Sequence, residues 1–288
     1  MSEARSDHKG RASLSPVTQR KAPRLAAGRA RALGLPTRGT TNANRLRRVD
    51  HWVLETQVPR LRDCPRPLVV DLGYGSSAVT TLELVERLGP EVDRLEVVGL
   101  EIDPARVTAV EADRDPPRVD FRLGGFELGG LQPVLVRAFN VLRQYDEESA
   151  SRAWDTMRAS LGTGGVIVEG TCDEWGRRSA WVALDAEGPL TLTLSARVAD
   201  IATPSDLAER LPKALIHHNV PGQPIHEFLR AFDGAWAAAA GLSTFGPRQR
   251  WVAAVESLGA QGWPLVGSTR RWRHGEITVR WSAVAPAM

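Results

Sequence analysis

The stretch from Pro67 to Val79 reads PLVVDLGYGSSAV, and it decides the predicted fold. Its consecutive apolar residues, Leu68 to Val70, are typical of a buried strand. The glycines that follow favour a tight turn, and the apolar residues from Val79 to Leu88 recur at helical spacing. A buried strand, a glycine-rich turn and a helix in this order predict the first unit of a parallel sheet.

The alternation of strands and helices continues well beyond this first unit. Further strands are predicted at residues 95–100, 119–123, 134–138 and 166–168. Further helices are predicted at residues 105–112 and 147–161, and an amphipathic helix at residues 44–56. Asp103, which precedes Pro104, is the predicted N-cap of the helix at 105–112. This order favours right-handed crossovers. We therefore predict an α/β fold, a doubly wound, mostly parallel sheet with helices on both faces.

The charge distribution separates an N-terminal arm from the rest of the chain. The 288 residues have a net charge of +3, but residues 1–50 alone contain 12 Lys and Arg against three acidic residues. We predict a flexible basic arm at residues 1–40 and a folded domain at 41–288. This domain would comprise a core at 67–169 and a C-terminal α+β extension at 170–288. The arm could bind RNA phosphates, and a solvated tail is the alternative interpretation.

Several classes of protein are disfavoured by the composition. No run of about 18 apolar residues is present, so no membrane span is expected. The first residues lack the apolar stretch of a signal peptide, which favours the cytoplasm. The only cysteines, Cys64 and Cys172, lack metal-ligand spacing, so neither a metal site nor a disulfide framework is expected.

Two acidic side chains follow the first two predicted strands. Asp71 precedes the glycines of the loop, and Glu101 ends the second strand. Ligands of open parallel sheets bind beyond the carboxyl ends of the strands, so both acids should face a ligand. A carboxylate at Asp71 would repel the pyrophosphate of a dinucleotide, whereas S-adenosylmethionine is cationic at its sulfonium and ammonium groups and has no phosphate. The loop therefore favours S-adenosylmethionine, with Glu101 accepting hydrogen bonds from its ribose hydroxyls.

Residues 67–169 resemble the class I, Rossmann-like S-adenosylmethionine-dependent methyltransferases. The glycine-rich motif of that family matches Asp71-x-Gly73-x-Gly75, and its ribose-binding acid matches Glu101. The resemblance implies that the chain is a methyltransferase whose cofactor is S-adenosylmethionine.

The resemblance also implies the remaining cofactor contacts. In this family a residue after the third strand contacts the adenine, which implies Phe126 or Glu127 here. The segment after the fourth strand lines the site of methyl transfer and contains Asn140. The implied cofactor contacts are Asp71, Gly73, Tyr74, Gly75, Glu101, Phe126, Glu127 and Asn140.

No general base for methyl transfer is evident in the sequence. The Asn-Pro-Pro-Tyr-like motif of many amino-group methyltransferases is replaced by Arg-Ala-Phe-Asn at residues 137–140. Here Asn140 could orient a nucleophile, and Arg137 or Arg143 could bind an anionic substrate. Glu169 at the end of the fifth strand, and Asp173 and Glu174 just after it, could bind an amine or accept a proton. The catalytic candidates are therefore Asn140, Glu169 and Asp173, and the substrate is not predicted.

Two other functions are consistent with a glycine-rich loop of this kind. An NAD(P)-dependent oxidoreductase would use the same loop, but Asp71 and the lack of a Tyr-x-x-x-Lys pair disfavour it. A non-catalytic cofactor-binding or RNA-binding protein is the other alternative, in which the basic arm would dominate binding.

The C-terminal extension shows weaker patterns. Strands are predicted at residues 181–184, 190–194 and 277–281, and helices at 225–240 and 248–258. His217 and His218 match no zinc spacing and are interpreted as part of a lid or surface loop. Residues 270–274, which mix arginines with Trp272, are either a hairpin turn or an RNA contact.

Overall fold

The computed structural model describes residues 41–287, and within them one nine-stranded sheet forms the centre of the fold. The strands are β1 (Leu68–Leu72), β2 (Glu96–Glu101), β3 (Val119–Leu123), β4 (Leu135–Phe139), β5 (Val166–Cys172), β6 (Arg178–Leu184), β7 (Pro189–Ala196), β8 (Leu265–Val266) and β9 (Glu276–Arg280). Their spatial order is β3-β2-β1-β4-β5-β6-β7-β9-β8. The first five strands pair in parallel, and the strands beyond β5 pair antiparallel. The predicted α/β fold with a parallel core is confirmed.

Helices cover both faces of this sheet, as predicted. They are α1 (Arg47–Thr56), α2 (Val58–Arg62), α3 (Val79–Leu88), α4 (Pro104–Ala109), α5 (Glu147–Ala159), α6 (Lys213–Ile216), α7 (Pro224–Ala238), α8 (Pro247–Ala260) and α9 (Thr269–Trp272), with several short 3-10 helices between them. The apolar sides of α1, α2 and α3 belong to one buried cluster, and those of α5, α7 and α8 belong to the other. None of the helices in the described range is long and apolar enough to cross a bilayer.

The sheet strands are apolar because both of their faces are covered. All five residues of β1 are buried, and the side chains of Val69 and Val70 enter opposite clusters. Alternate residues of a strand point to opposite faces, so a central parallel strand needs an uninterrupted apolar run. The apolar residues from Leu68 to Val70 meet this requirement.

Most of the predicted boundaries agree with the structure to within a few residues. Asp103 is the N-cap of α4, since its carboxylate accepts a hydrogen bond of 3.0 Å from the amide of Ala105. The amphipathic helix begins at Arg47 instead of residue 44. Residues 270–274, interpreted as a hairpin turn or an RNA contact, lie in the connection between the antiparallel strands β8 and β9, which contains the short helix α9. The predicted basic arm at 1–40 lies outside the described residues.

The C-terminal extension enlarges the same sheet. β6 pairs antiparallel with β5, and β7 and β9 follow in turn. The turn that joins β6 to β7 is closed by Asp185, whose carboxylate accepts hydrogen bonds from the amides of Glu187 and Gly188. The extension therefore continues the sheet of the core and contributes to both buried clusters.

Candidate functional site

A cleft of about 970 Å³ opens at the carboxyl ends of the parallel strands. It lies where the strand order reverses, because β2 and β4 flank β1 on opposite sides. Loops that leave neighbouring strands in opposite directions at such a point leave a crevice between them, which is the usual ligand site of open α/β sheets. We call it the cofactor cleft; its lining includes Asp71, Gly73, Tyr74, Gly75, Glu101, Phe126, Glu127, Asn140 and Tyr145.

The loop after β1 forms one wall of the cofactor cleft, and its glycines are required by its backbone. Gly73 and Gly75 have φ angles of +72° and +89°, which side-chain-bearing residues rarely adopt. A Cβ atom on Gly73 would lie 2.6 Å from Cγ2 of Val141. The loop therefore presents backbone atoms directly to the cleft, and a side chain at Gly73 would collide with the segment after β4.

Glu101, at the end of β2, presents a buried carboxylate beside this loop. Its Oε2 accepts a hydrogen bond of 3.1 Å from the amide of Gly75, and its Oε1 accepts one of 2.9 Å from the amide of Ile102. Nη1 of Arg106 lies 3.3 Å from Oε2. Only 3% of Glu101 is exposed, so these donors fix the carboxylate in place and hold its charge in the wall of the cleft.

Asp71, also implied as a cofactor contact, forms an ion pair in the floor of the cleft. Nε and Nη2 of Arg137 donate hydrogen bonds of 2.9 and 2.7 Å to its carboxylate, and Oγ1 of Thr81 donates one of 2.6 Å. The cation that this carboxylate attracts is therefore a side chain of the protein itself. Asp71 lines the cleft, and its charge is neutralised by its own pair.

Arg137 does not meet the expectation that it could bind an anionic substrate. Its side chain is fully buried, and its remaining donors bond the carboxylate of Asp50 and the carbonyl of Thr80. Burial opposes its charge, but the two carboxylates outweigh this effect and raise its pKa. For Asp50, burial raises the pKa, and the positive charges of Arg137 and Arg87 oppose this rise. The guanidinium therefore joins β4 to β1 and α1 beneath the cleft and is not available to a ligand.

Aromatic side chains from the segments after β3 and β4 form another wall of the cofactor cleft. The rings of Phe126 and Tyr145 meet edge to face, with centroids 5.4 Å apart. Beside them, Oε1 of Glu127 accepts a hydrogen bond of 2.9 Å from the amide of Gly125. This wall combines an apolar surface with a fixed carboxylate, a combination suited to a planar base with an exocyclic amine.

Tyr74 contributes backbone to the cleft while its ring packs inward. The ring contacts Phe121 edge to face at 5.2 Å, and burial raises the pKa of its phenol. Its carbonyl accepts a hydrogen bond of 3.0 Å from Oγ1 of Thr41, in the segment before α1. The ring is thus part of the core that supports the glycine loop.

Asn140 holds together the ends of β4 and β5. Its side-chain oxygen accepts a hydrogen bond of 3.0 Å from the backbone amide of Cys172. Its backbone amide donates one of 2.8 Å to the carbonyl of Gly170. Its φ angle of +61° is one that asparagine tolerates better than most residues. Both Asn140 and Cys172 line the cofactor cleft, so the structure agrees with the predicted location of Asn140.

Glu169 does not lie at the end of a strand, and the predicted position is wrong. β5 continues to Cys172, since residues 169–172 pair with β6. Glu169 shares a sheet face with Ile167, on the side of α5, and does not line the cofactor cleft. Burial raises its pKa to about 8, an effect that the nearby indole of Trp154 partly offsets. Within the described residues neither of its oxygens has a hydrogen-bond partner.

The carboxylate of Asp173 closes the turn between β5 and β6. It accepts hydrogen bonds from the amides of Trp175, Arg177 and Arg178, at 3.1, 2.9 and 3.1 Å. Its oxygens are therefore used by the turn, contrary to a role as a free base. The neighbouring Glu174 is exposed and lines the cleft.

Sequence reasoning missed the residues that close the cleft from distant parts of the chain. Thr41, Arg45 and Arg210 line it together with Cys172. Nε of Arg45 donates a hydrogen bond of 3.1 Å to the carbonyl of Asp173. No local pattern marks these positions, because their approach depends on the packing of α1 and of the extension against the sheet.

The histidines of the extension form polar pairs. Nε2 of His218 lies 2.6 Å from Oε1 of Glu147, and Nε2 of His217 lies 2.9 Å from Nζ of Lys213. Within residues 41–287, no group of three or more His, Cys, Asp or Glu side chains is arranged to hold a metal ion.

Comparisons with known proteins give distant structural likenesses. No protein-family model matches the chain, and no curated protein matches it. The cyclopropane synthase MmaA2 from Mycobacterium tuberculosis is 17% identical, with 43% of this chain covered, 42% of that chain covered and a TM-score of 0.33. The CcbJ methyltransferase from Streptomyces caelestis is 20% identical, with 55% of this chain and 68% of that chain covered and a TM-score of 0.35.

LepI, solved as a complex with S-adenosylmethionine, is 15% identical, with 42% of this chain and 31% of that chain covered and a TM-score of 0.35. The chain thus spans less than half the length of the cyclopropane synthase and of LepI. At TM-scores below 0.5, these likenesses do not establish an activity for this chain.

Proposed function

We propose that the cofactor cleft binds S-adenosylmethionine and that the protein is an S-adenosylmethionine-dependent methyltransferase. The observation that carries this proposal is the hydrogen bond from the amide of Gly75 to the carboxylate of Glu101. It places a fixed negative charge beside the glycine loop, at the point where the strand order reverses. A ligand that is cationic and carries vicinal hydroxyls is complementary to this arrangement.

The same hydrogen bond disfavours a dinucleotide. A dinucleotide places its pyrophosphate against the loop amides and the N-terminus of the following helix. Here the amide of Gly75 already donates to a carboxylate, and residues 76–79, which lead into α3, do not line the cleft, although Thr80 does. A pyrophosphate at this position would face the carboxylate of Glu101.

The residues present fit the parts of S-adenosylmethionine. Glu101 would accept hydrogen bonds from the ribose hydroxyls, and the Phe126–Tyr145 wall would cover the adenine beside Glu127. The glycine loop would approach the amino-acid moiety through its backbone. When bound, the cofactor would supply an electrophilic methyl group.

The chain would act on the reaction chiefly by positioning. Methyl transfer needs the acceptor aligned with the methyl carbon and water excluded from the gap between them. Asn140, held between β4 and β5, and the exposed Glu174 both line the cleft. Asn140 would orient the acceptor by a hydrogen bond, and Glu174 could accept its proton.

A thermal unfolding experiment with ligands tests this proposal. S-Adenosylhomocysteine at a hundredfold excess over its Kd should stabilise the protein by about 2.7 kcal/mol. For a domain of this size the Tm would rise by roughly 5–10 °C. NADH at the same concentration should leave the Tm unchanged. A rise with NADH, or no rise with S-adenosylhomocysteine, would contradict the proposal.

A further inference from the structure

A second cleft, of about 430 Å³, lies at the same edge of the sheet and is rich in arginine. Five arginines line it, contributed by α1, the segment after β7, α8 and the segment after α9. They are Arg47, Arg48, Arg197, Arg248 and Arg273, and His51 and His274 lie among them. We call this the arginine cleft.

The acidic side chains in the arginine cleft are paired elsewhere. Glu55 and Glu276 line it, and both bond the guanidinium of Arg271, which is itself buried. Arg197 lies 3.6 Å from Asp200. Within residues 41–287, no carboxylate lies within 4.0 Å of the remaining four arginines of the cleft, Arg47, Arg48, Arg248 and Arg273.

Arg48 is a partly buried guanidinium of this cleft, and within residues 41–287 its hydrogen bonds go to a carbonyl and a hydroxyl. Its Nη1 donates hydrogen bonds to the carbonyl of His274, at 2.8 Å, and to Oγ of Ser195, at 3.3 Å. Burial is the largest effect on its pKa and lowers it. The pKa values of His51 and His274 are also lowered, first by burial and then by neighbouring arginines. Burial is the first cause of all three pKa shifts; neighbouring arginines add to it for the two histidines, whereas Glu276 opposes it for Arg48.

The arginine cleft and the cofactor cleft lie at the same edge of the sheet and approach each other where the chain enters α1. β7 runs in the same direction as β5, because each pairs antiparallel with β6. Ser195 lies in one row of the sheet with Ser179 and Cys172, two strands and roughly 10 Å from Cys172 of the cofactor cleft. At the start of α1, Arg45 lines the cofactor cleft, and Arg47 and Arg48 line the arginine cleft. One extended ligand could therefore reach both.

We propose that the arginine cleft binds phosphate groups of an anionic ligand. A phosphate group has several acceptor oxygens and up to two negative charges, so it can satisfy more than one guanidinium at once. Four arginines without carboxylate partners call for more than one phosphate. That this ligand is also the methyl acceptor rests on the proposed function, whereas phosphate binding itself does not depend on it.

The test uses two double variants of the full-length chain. Arg248→Gln with Arg273→Gln removes two exposed, unpaired charges from the arginine cleft. Arg66→Gln with Arg118→Gln removes two exposed charges at the opposite edge of the sheet, where β1 and β3 begin. Both variants change the net charge equally, so non-specific attraction by the whole protein, including its basic residues 1–40, is matched. The Tm of each variant checks that it is folded.

Tripolyphosphate and a short oligouridylate are the probes, titrated calorimetrically and by fluorescence anisotropy. We expect the cleft variant to bind tripolyphosphate at least about tenfold more weakly, since two charge-assisted contacts are lost, while the control variant stays close to the wild type. For the oligouridylate, the slope of log affinity against log salt should fall by about 1.4 in the cleft variant.

The two probes also separate the sources of the phosphate. A loss specific to the cleft variant with either probe supports the proposal. If the loss is confined to tripolyphosphate, the ligand is a small phosphorylated molecule, and if it is confined to the oligouridylate, the ligand is a nucleic acid. Equal affinities of the two variants for both probes, or no binding of either probe, would overturn the proposal. S-Adenosylhomocysteine binding is measured in parallel, so a failure of the proposed function is seen separately.

Discussion

The guanidinium of Arg137 donates two hydrogen bonds to the carboxylate of Asp71, at 2.9 and 2.7 Å, in the floor of the cofactor cleft. The two residues lie opposite each other on the neighbouring strands β1 and β4. The pair therefore fixes these strands to each other at the point where their loops diverge, and it carries the glycine loop above it.

Asp71→Asn should be strongly destabilising, because it leaves the fully buried Arg137 with reduced pairing. Removing one partner of a buried ion pair costs about 3–5 kcal/mol. Asp115→Asn is the control, since Asp115 pairs with Arg118 at the surface and an exposed pair contributes less than about 1 kcal/mol. Urea unfolding of both variants measures the difference. Equal losses in the two would show that the Arg137 pair does not stabilise the fold.

Gly73→Ala should destabilise the protein and weaken ligand binding. The residue has a φ of +72°, and its new Cβ would lie 2.6 Å from Val141. The strain should cost at least about 1 kcal/mol. Gly234→Ala is the matched substitution within α7, where nothing lies within 4 Å of the added Cβ. It should stabilise the protein by about 1 kcal/mol. Thermal unfolding measures the change in stability of each variant. An unchanged stability of Gly73→Ala would contradict the assigned loop geometry.

Glu169 should make stability fall as pH rises. Its pKa is raised from 4.5 to about 8, so the folded protein retains a proton that the unfolded chain releases. Its stabilising contribution is complete below pH 4.5 and is lost as the pH rises through about 8. Glu169→Gln should therefore gain stability relative to wild type between pH 5 and pH 8.

The gain from Glu169→Gln should be on the order of a few kcal/mol, measured as unfolding free energy against pH. Glu276 and Asp50 also have raised pKa values, so the difference between the two proteins isolates Glu169. Glu187→Gln, in the exposed turn between β6 and β7, is the control and should follow the wild-type curve. A Glu169→Gln curve parallel to that of the wild type would mean that Glu169 is ionised in the fold.

Phe126→Ala should lower affinity for S-adenosylhomocysteine by roughly tenfold, because it removes half of the aromatic wall. Phe245→Ala makes the same substitution at a side chain that is 73% exposed and outside the cofactor cleft, and it should have no effect. Calorimetric titration measures both. If Phe245→Ala weakened binding as much as Phe126→Ala, the assignment of the wall would fail.

The parallel core was predictable because its signals are local. The apolar run at Leu68 to Val70 must be buried on both faces, and the glycines at 73 and 75 permit a left-handed turn. The N-cap at Asp103 is likewise defined by neighbouring residues alone. These local features predict the strand ends and the glycine loop that form walls of the cofactor cleft.

The errors arose where distant pairing decides the structure. The apolar run ends at Val168, yet β5 continues to Cys172 because β6 pairs with it, which moves Glu169 into the middle of a strand. The carboxylate partners of Arg137 are 66 and 87 residues away in the chain, so no local sequence pattern predicts its burial. The arginine cleft is assembled from four segments that are far apart in the chain, so no single local pattern predicts it.

Calorimetric titration of S-adenosylhomocysteine into wild type and Glu101→Gln tests the central claim most directly. Glu96→Gln, at the other end of β2, is the control. The wild type and Glu96→Gln should bind with similar affinity, and Glu101→Gln should bind roughly 10- to 100-fold more weakly, since a charge-assisted acceptor for the ribose hydroxyls is lost. Equal affinity of the folded Glu101→Gln variant, or no binding by the wild type, would contradict the account.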